Sequence, residues 1–218
     1  MPARFDLVVF DWDGSLFDST RAISRSIQLA CADLGLPVPS DQRASYVIGL
    51  GLRDALEYAV PDLTPAQLPA MLERYRHHYQ RQDRDIDLFP GARELLAALR
   101  ARGHRLGVAT GKSRAGLDRA LAQAGLAHVF EATRCADETR PKPDPAMLRE
   151  LGLRLAVPAG RTVMIGDTTH DLRMARDAGV AGLAVTYGAH PHADLLAEAP
   201  LACLASVAEL ADWLVTHA

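Results

Sequence analysis

Phe10-Asp11-Trp12-Asp13-Gly14-Ser15-Leu16-Phe17-Asp18-Ser19 is the stretch on which the reading of this chain turns. It follows the apolar run Leu7-Val8-Val9-Phe10, which has the character of a buried strand. Side chains alternate along a strand, so Asp11 and Asp13 at its end can point to the same side. Gly14 permits a turn that a residue with a Cβ resists. Two acids beside a backbone turn suit a magnesium ion, which prefers hard oxygen ligands and commonly binds one or two carboxylates together with phosphate. Taken alone, the same residues also describe a strand followed by a solvated acidic turn.

Around this stretch the chain alternates. Asp18 or Ser19 can cap a helix running to about Leu34, with Ile23, Ile27, Ala30, Cys31 and Leu34 at helical spacing. From Ser40 to about Gln82 the pattern is helical in pieces, broken at Gly49-Leu50-Gly51 and Pro61-Asp62. Pro69 is either a further break or a tolerated first-turn proline. The charged run Arg74 to Arg84 reads as a solvated helix face. No strand signal falls between Leu16 and Asp87. After it, strands are expected at Leu106–Ala109, Val129–Glu131, Thr162–Ile165 and Gly182–Val185. The helices between them run from Pro90 to Gly103, Ser113 to Ala124, Pro145 to Leu155 and Asp171 to Ala178, with a last one at Val207–Val215. This rhythm predicts an α/β fold, a doubly wound parallel sheet, with residues 1–15 and 88–218 forming the core and 16–87 an all-helical insert. An insert placed directly after the acidic turn sits above the carboxyl ends of the strands, where such sheets bind ligands, and can act as a lid.

Composition narrows the function. The 218 residues are 49% hydrophobic with a formal charge of −3, so the chain can bury a core and carries no basic footprint for nucleic acid. Cys31, Cys135 and Cys203 are odd in number, widely spaced and form no Cys-x-x-Cys pair, which points to free thiols in a reducing, cytoplasmic setting. The early charges Arg4 and Asp6 leave no visible signal peptide, and no apolar run has the ~20 residues of a membrane helix. A small anionic substrate therefore needs a local cationic site, and neither a membrane nor a nucleic acid is expected as partner.

Three further features fall where strands end. Thr110-Gly111-Lys112-Ser113 offers a hydroxyl and backbone amides before a helix, fit for an oxyanion or for an ordinary cap. Arg140-Pro141-Lys142-Pro143-Asp144-Pro145 holds one lysine in a stiff loop, where Lys142 either balances a phosphate or lies on the surface. Gly166-Asp167-Thr168-Thr169-His170-Asp171 supplies two more carboxylates, and a helix N-cap explains Asp171 but not Asp167.

With these four features in this order, the chain resembles the haloacid dehalogenase-like superfamily of phosphohydrolases. The resemblance runs over essentially the whole length, through Asp11-Trp12-Asp13-Gly14, Thr110, Lys142 and Gly166-Asp167 with Asp171. It implies a Rossmann-like core with a small helical cap. It implies Asp11 as the nucleophile that forms an aspartyl-phosphate, and Asp13 as the acid that protonates the leaving alcohol and then activates water. It implies Mg2+ held by the Asp11 side chain, the Asp13 carbonyl and Asp167, with Asp171 binding directly or through water. Thr110, Gly111 and Lys142 would hold the phosphoryl oxygens. Dehalogenases of the superfamily lack the acid at Asp13, so its presence favours phosphoryl transfer. Ser15 departs from the family's usual Thr but keeps the hydroxyl. Trp12 lies at a variable position and is expected in the core.

Within the family, Gly49-Leu50-Gly51-Leu52-Arg53 and Thr110-Gly111-Lys112 resemble phosphoglycolate phosphatases. The implied reaction is hydrolysis of a small phosphorylated metabolite, 2-phosphoglycolate first, by a monomer or homodimer. A substrate carboxylate calls for a cation, and Arg43, Arg53 and Lys112 are the candidates, with Gly51 in the loop beside them. Both arginines also read as solvated helix residues. The alternatives are a sugar phosphomutase similar to β-phosphoglucomutase and, from another class, a phosphoacceptor signalling module. In receiver modules, however, the phosphorylated Asp follows a later strand without a helical insert. Among the eight histidines, His77-His78, His170 and His190-Pro191-His192 are expected on the surface or in loops, because none has zinc-helix spacing.

Overall fold

The computed structural model describes residues 4–82 and 86–217. The far end of the charged run, Arg84, lies outside the described residues. In chain order the elements are β1 (Leu7–Phe10), α1 (Thr20–Asp33), α2 (Asp41–Tyr46), α3 (Leu52–Ala59), α4 (Leu68–Gln82), α5 (Ala92–Ala101), β2 (Arg105–Thr110) and α6 (Arg114–Gln123). There follow β3 (Ala132–Cys135), α7 (Ala146–Arg154), β4 (Thr162–Gly166), α8 (Thr169–Ala178), β5 (Ala181–Val185), α9 (His192–Ala197), β6 (Cys203–Leu204) and α10 (Val207–His217).

The strands form one parallel sheet in the order β3-β2-β1-β4-β5-β6. β1 is central, with Phe10 level with Val108 on β2 and Ile165 on β4. The chain winds outward from it in both directions, so the strand order reverses there. The crevice beyond the carboxyl ends of β1, β2 and β4 is the place where such sheets take ligands. Alternation along β1 divides its side chains between two cores. Val8 and Phe10 join Leu96, Leu117 and Leu210 on one face, while Leu7 and Val9 join Met147, Leu151 and Met174 on the other. The doubly wound α/β architecture expected from the sequence is the one observed.

Residues 20–82 are helical and have a core of their own. Ile23, Ile27, Ala30 and Cys31 on α1 pack with Leu56, Met71 and Tyr79 from α3 and α4. Pro69 is the second residue of α4, a position whose N–H has no intrahelical acceptor, so the proline is tolerated there. The chain leaves and re-enters the sheet domain side by side: Asp18 N donates to the Asp87 carbonyl at 3.1 Å and Phe89 N to the Leu16 carbonyl at 2.9 Å. Among the described residues, no helix is long and apolar enough to cross a membrane.

Four local expectations are corrected. Val129–Glu131 is not a strand. The strand is Ala132–Cys135, whose two central residues Thr133 and Arg134 are half-buried at the sheet edge and lack an apolar signature. The helix after Pro90 begins at Ala92, behind Gly91. α8 begins at Thr169 rather than Asp171. Thr168 caps it, and Asp171 closes a reciprocal capping box as its third residue. The short α9 and β6 were not anticipated.

Candidate active site

β1 delivers Asp11 one residue past its last paired position, anchored by Asp11 N donating to the Ile165 carbonyl at 2.9 Å. The chain then turns back on itself, with Phe17 N donating to the Trp12 carbonyl at 2.9 Å. Gly14 makes this turn at φ +83°, and a Cβ there would lie 2.1 Å from Asp167 Oδ2. Close approach and a left-handed backbone together demand glycine. Trp12 is fully buried and stacks on Phe17 at 5.6 Å, in the core as expected.

Asp11, Asp167 and Asp171 are fully buried, and each offers a carboxylate oxygen within 4.8 Å of the others. Lys142 enters among them from the proline loop, its Nζ 2.6 Å from Asp11 Oδ1 and 2.7 Å from Asp171 Oδ1. It is not the surface lysine that its loop also allowed. One ammonium cannot neutralise three buried carboxylates. Burial pushes the Asp11 carboxyl well above its ordinary range against the pull of Lys142, and burial together with Asp171 pushes Asp167 up to about 7. Burial also works against the charge on Lys142, but Asp11 and Asp171 more than offset it and hold the ammonium above its usual value. Asp167 is oriented by Ser15 Oγ, donating to Oδ1 at 3.0 Å, and by Ala189 N, donating to Oδ2 at 2.8 Å. Ser15 thus keeps a hydroxyl's task. Asp11 Oδ2 is buried with no hydrogen-bond partner among the described residues. An orphaned carboxylate oxygen beside two more hard-oxygen donors fits a divalent cation, since an unpaired buried carboxylate is otherwise costly.

Asp13 stands apart from that trio. Its Oδ1 accepts from Ser19 Oγ at 2.5 Å and lies 3.0 Å from Lys112 Nζ. Lys112 also donates to the Tyr79 hydroxyl at 3.0 Å, so α4 reaches the acid through it. Thr110 is buried at the end of β2, where its Oγ1 accepts from Lys112 N at 3.2 Å. A Cβ on Gly111 would lie 2.3 Å from the Leu50 carbonyl oxygen and 2.6 Å from that of Gly49, so the helical segment rests directly on this loop. Gly111→Ala is therefore expected to lift residues 49–50 and weaken use of an ester by up to about 10²-fold in kcat/KM. Steady-state kinetics beside a melting curve that leaves the sheet domain unaltered checks it.

A cavity of 790 Å³ opens between the helical segment and the sheet domain, with Asp13, Val47, Gly51, Arg53, Tyr79 and Lys112 among its walls. Of the cationic candidates, Lys112 lies deepest. Arg53 is exposed and paired with Glu57 at 3.1 Å. Arg43 is not at the cavity; its guanidinium donates to the Tyr58 carbonyl at 3.0 Å and covers the Tyr58 ring, the solvated-helix alternative. The histidines need correction too. His78 pairs with Asp33 and His192 is exposed, but His170 and His190 are buried. Burial lowers both, His170 to about 4. Neighbouring sequence does not disclose this, because the covering residue, Tyr46, belongs to the helical segment.

The pattern of the haloacid dehalogenase-like hydrolases matches residues 8–185. The chain belongs to that family. As a haloacid dehalogenase-like hydrolase it is 36% identical over 200 residues to the probable phosphatase IndB of Dickeya dadantii, covering 89% of this chain and 86% of the relative. It is 31% identical over 192 residues to the phosphoglycolate phosphatase of Aliivibrio fischeri, covering 84% of each. Its fold superposes on a crystal structure described as that of a predicted phosphoglycolate phosphatase from Haemophilus somnus, with a TM-score of 0.87 at 26% identity, covering 97% of this chain and 99% of the other. This family member is an enzyme, a phosphoric monoester hydrolase.

Proposed function

We propose that this hydrolase cleaves a small phosphomonoester through an aspartyl-phosphate on Asp11. The buried Asp11 carboxylate, held on one oxygen by Lys142 and, among the described residues, unpartnered on the other, is the observation that carries the reading. Asp11 attacks phosphorus as the nucleophile. Asp13, close to the cavity and linked to Lys112, protonates the departing alcohol and then takes a proton from the water that releases phosphate. Thr110, the Gly111 amide and Lys142 hold the phosphoryl oxygens as charge redistributes. Asp11, Asp167, Asp171 and the Asp13 carbonyl are the residues to hold Mg2+, which when bound offsets the repulsion between a phosphate and a carboxylate nucleophile. Residues 16–87 act as the cap over residues 1–15 and 88–218.

For the substrate we favour 2-phosphoglycolate, with Lys112 in the cavity wall as the cation for its carboxylate; the names of the relatives support this. A second reading has one observation in its favour. A cavity of 790 Å³ lies in the roughly 300–1,000 Å³ range of pockets that hold drug-sized ligands, far more than glycolate fills. A bulkier phosphate ester is the substrate if that volume is used. The free thiols Cys31, Cys135 and Cys203 favour a reducing, cytoplasmic setting. Phosphate release from a graded panel of phosphomonoesters, with magnesium and with chelator, tests the proposal. Magnesium-dependent release led by 2-phosphoglycolate supports the first substrate, and release led by larger esters supports the second. Transfer of phosphate between sugar carbons without release establishes a mutase instead.

A further inference from the structure

We infer that His170 and His190, neither of which touches the nucleophile, are positioning residues that fix the roof of the active site. Both ring Nε2 atoms lie 2.9 Å from one acceptor, the carbonyl oxygen of Tyr46. A carbonyl only accepts, so both nitrogens donate, and its two lone pairs are used together. For His190 the tautomer is fixed independently, because its Nδ1 accepts from Thr169 N at 3.1 Å and leaves the proton on Nε2. The rings are held as well. Tyr46 stacks on His190 at 4.9 Å and meets His170 edge-on at 5.3 Å, while the two imidazoles meet edge-on at 5.1 Å.

The position of this clasp gives it a consequence. Tyr46 ends α2, so its carbonyl is one of the helix's unpaired acceptors, captured here by side chains from across the cleft. Immediately after it, Val47 to Gly51 line the cavity, and the carbonyls of Gly49 and Leu50 rest on Gly111. On the other side, His170 precedes Asp171, and His190 follows Ala189, whose N–H orients Asp167. The clasp therefore fastens the loop that faces the ester's leaving group to the same two segments that hold the acids. It sets the height of the roof above Asp11 and Asp13.

The kinetic arm of the test rests on the phosphatase reading; the exchange arm does not. In the magnesium-loaded enzyme, His170→Ala and His190→Ala are each expected to raise KM for the preferred ester about fivefold, and the double variant about thirtyfold. Inhibition by inorganic phosphate, whose proposed contacts Thr110, Gly111 and Lys142 all belong to the sheet domain, should stay unchanged. Amide hydrogen exchange should accelerate at residues 46–51 and not in β1, β2 or β4. His170→Gln and His190→Gln, which keep a donor, should recover most of both effects. Unmoved exchange at 46–51 overturns the inference, as does phosphate affinity falling in step with ester affinity, the mark of general disruption. If the double variant does not fold, His170→Ala against His170→Gln carries the same comparison. If no ester is turned over by the wild type, the phosphatase reading fails while exchange still decides the clasp.

Discussion

Asp11→Asn is expected to abolish turnover and, in the chelated protein, to leave the fold more stable than the wild type at pH 8. The two effects have one cause. The amide keeps the shape of the carboxylate but is a poor nucleophile, so the loss in kcat is on the order of 10⁴-fold or more. In the folded protein, burial raises the Asp11 pKa and the other acids of the site add to it. A carboxyl whose folded pKa is raised contributes stability that is full below its ordinary unfolded pKa and is lost as pH rises through the folded value. Without metal, the wild type should therefore lose stability from about pH 4 upward, with Asp167 contributing around its value of about 7. Asparagine removes the Asp11 share of this loss and leaves Lys142 paired with Asp171. Each unit by which the folded Asp11 pKa is raised corresponds to about 1.4 kcal/mol, so the variant's gain at pH 8 should be on the order of 1 kcal/mol. Denaturant melts at pH 5 and pH 8 in chelator, beside turnover with magnesium, test both halves. A variant that is inactive because it is less stable at pH 8 contradicts the argument.

The same charge crowding marks the boundary of what the sequence could disclose. The apolar run Leu7-Val8-Val9-Phe10, the apolar spacing of Ile23, Ile27, Ala30 and Cys31, and the Gly-Asp and Thr-Gly steps at the ends of β4 and β2 depend on near neighbours. They mark β1, the first helix after it and the loops beyond β4 and β2. The sequence also named the acids and the lysine that the fold brings together. Hidden from it was whatever depends on contact between segments. His170 looks like a surface or loop histidine until Tyr46, 124 residues earlier, closes over it. Arg43 looks available until the Tyr58 carbonyl takes its guanidinium. β3 was misplaced because an edge strand with Thr133 and Arg134 at its centre has no apolar run to betray it. Asp13 was grouped with Asp11 by strand alternation. The strand, however, ends at Phe10, and the turn at Gly14 brings the Asp13 carboxylate to Ser19 and Lys112.

Lys142→Met separates the two tasks of the buried lysine. Methionine keeps most of the stem and fills the space without charge. Asp11 and Asp171 then face each other with no cation between them, and breaking such a buried pair costs about 3–5 kcal/mol. That penalty belongs to ionised acids. Removing Lys142 takes away the charge that pulls Asp11 down, so its folded pKa rises further and the penalty grows as pH climbs from about 4. The lysine adds no slope of its own between pH 4 and 9. Its folded pKa is raised, so its stabilisation is fully present below the unfolded lysine value. The gap between wild type and variant in chelator should therefore be widest at pH 8 and shrink toward pH 4. Magnesium should narrow it at pH 8, because without Lys142 on the oxygens of Asp11 and Asp171 the variant binds the cation more tightly than the wild type, and each tenfold difference in Kd closes the gap by about 1.4 kcal/mol at saturating metal. Activity should not follow. Lys142 also faces the phosphoryl oxygens in the proposed reaction, and loss of such a contact lowers kcat on the order of 10²–10³-fold even when the fold is restored. Melts across this pH range, with and without magnesium, and turnover at saturating metal give the answer. If magnesium restores turnover along with stability, Lys142 is a counter-ion alone. If the variant is as stable as the wild type at pH 8 in chelator, the acids are not charged together and the electrostatic account of the site fails.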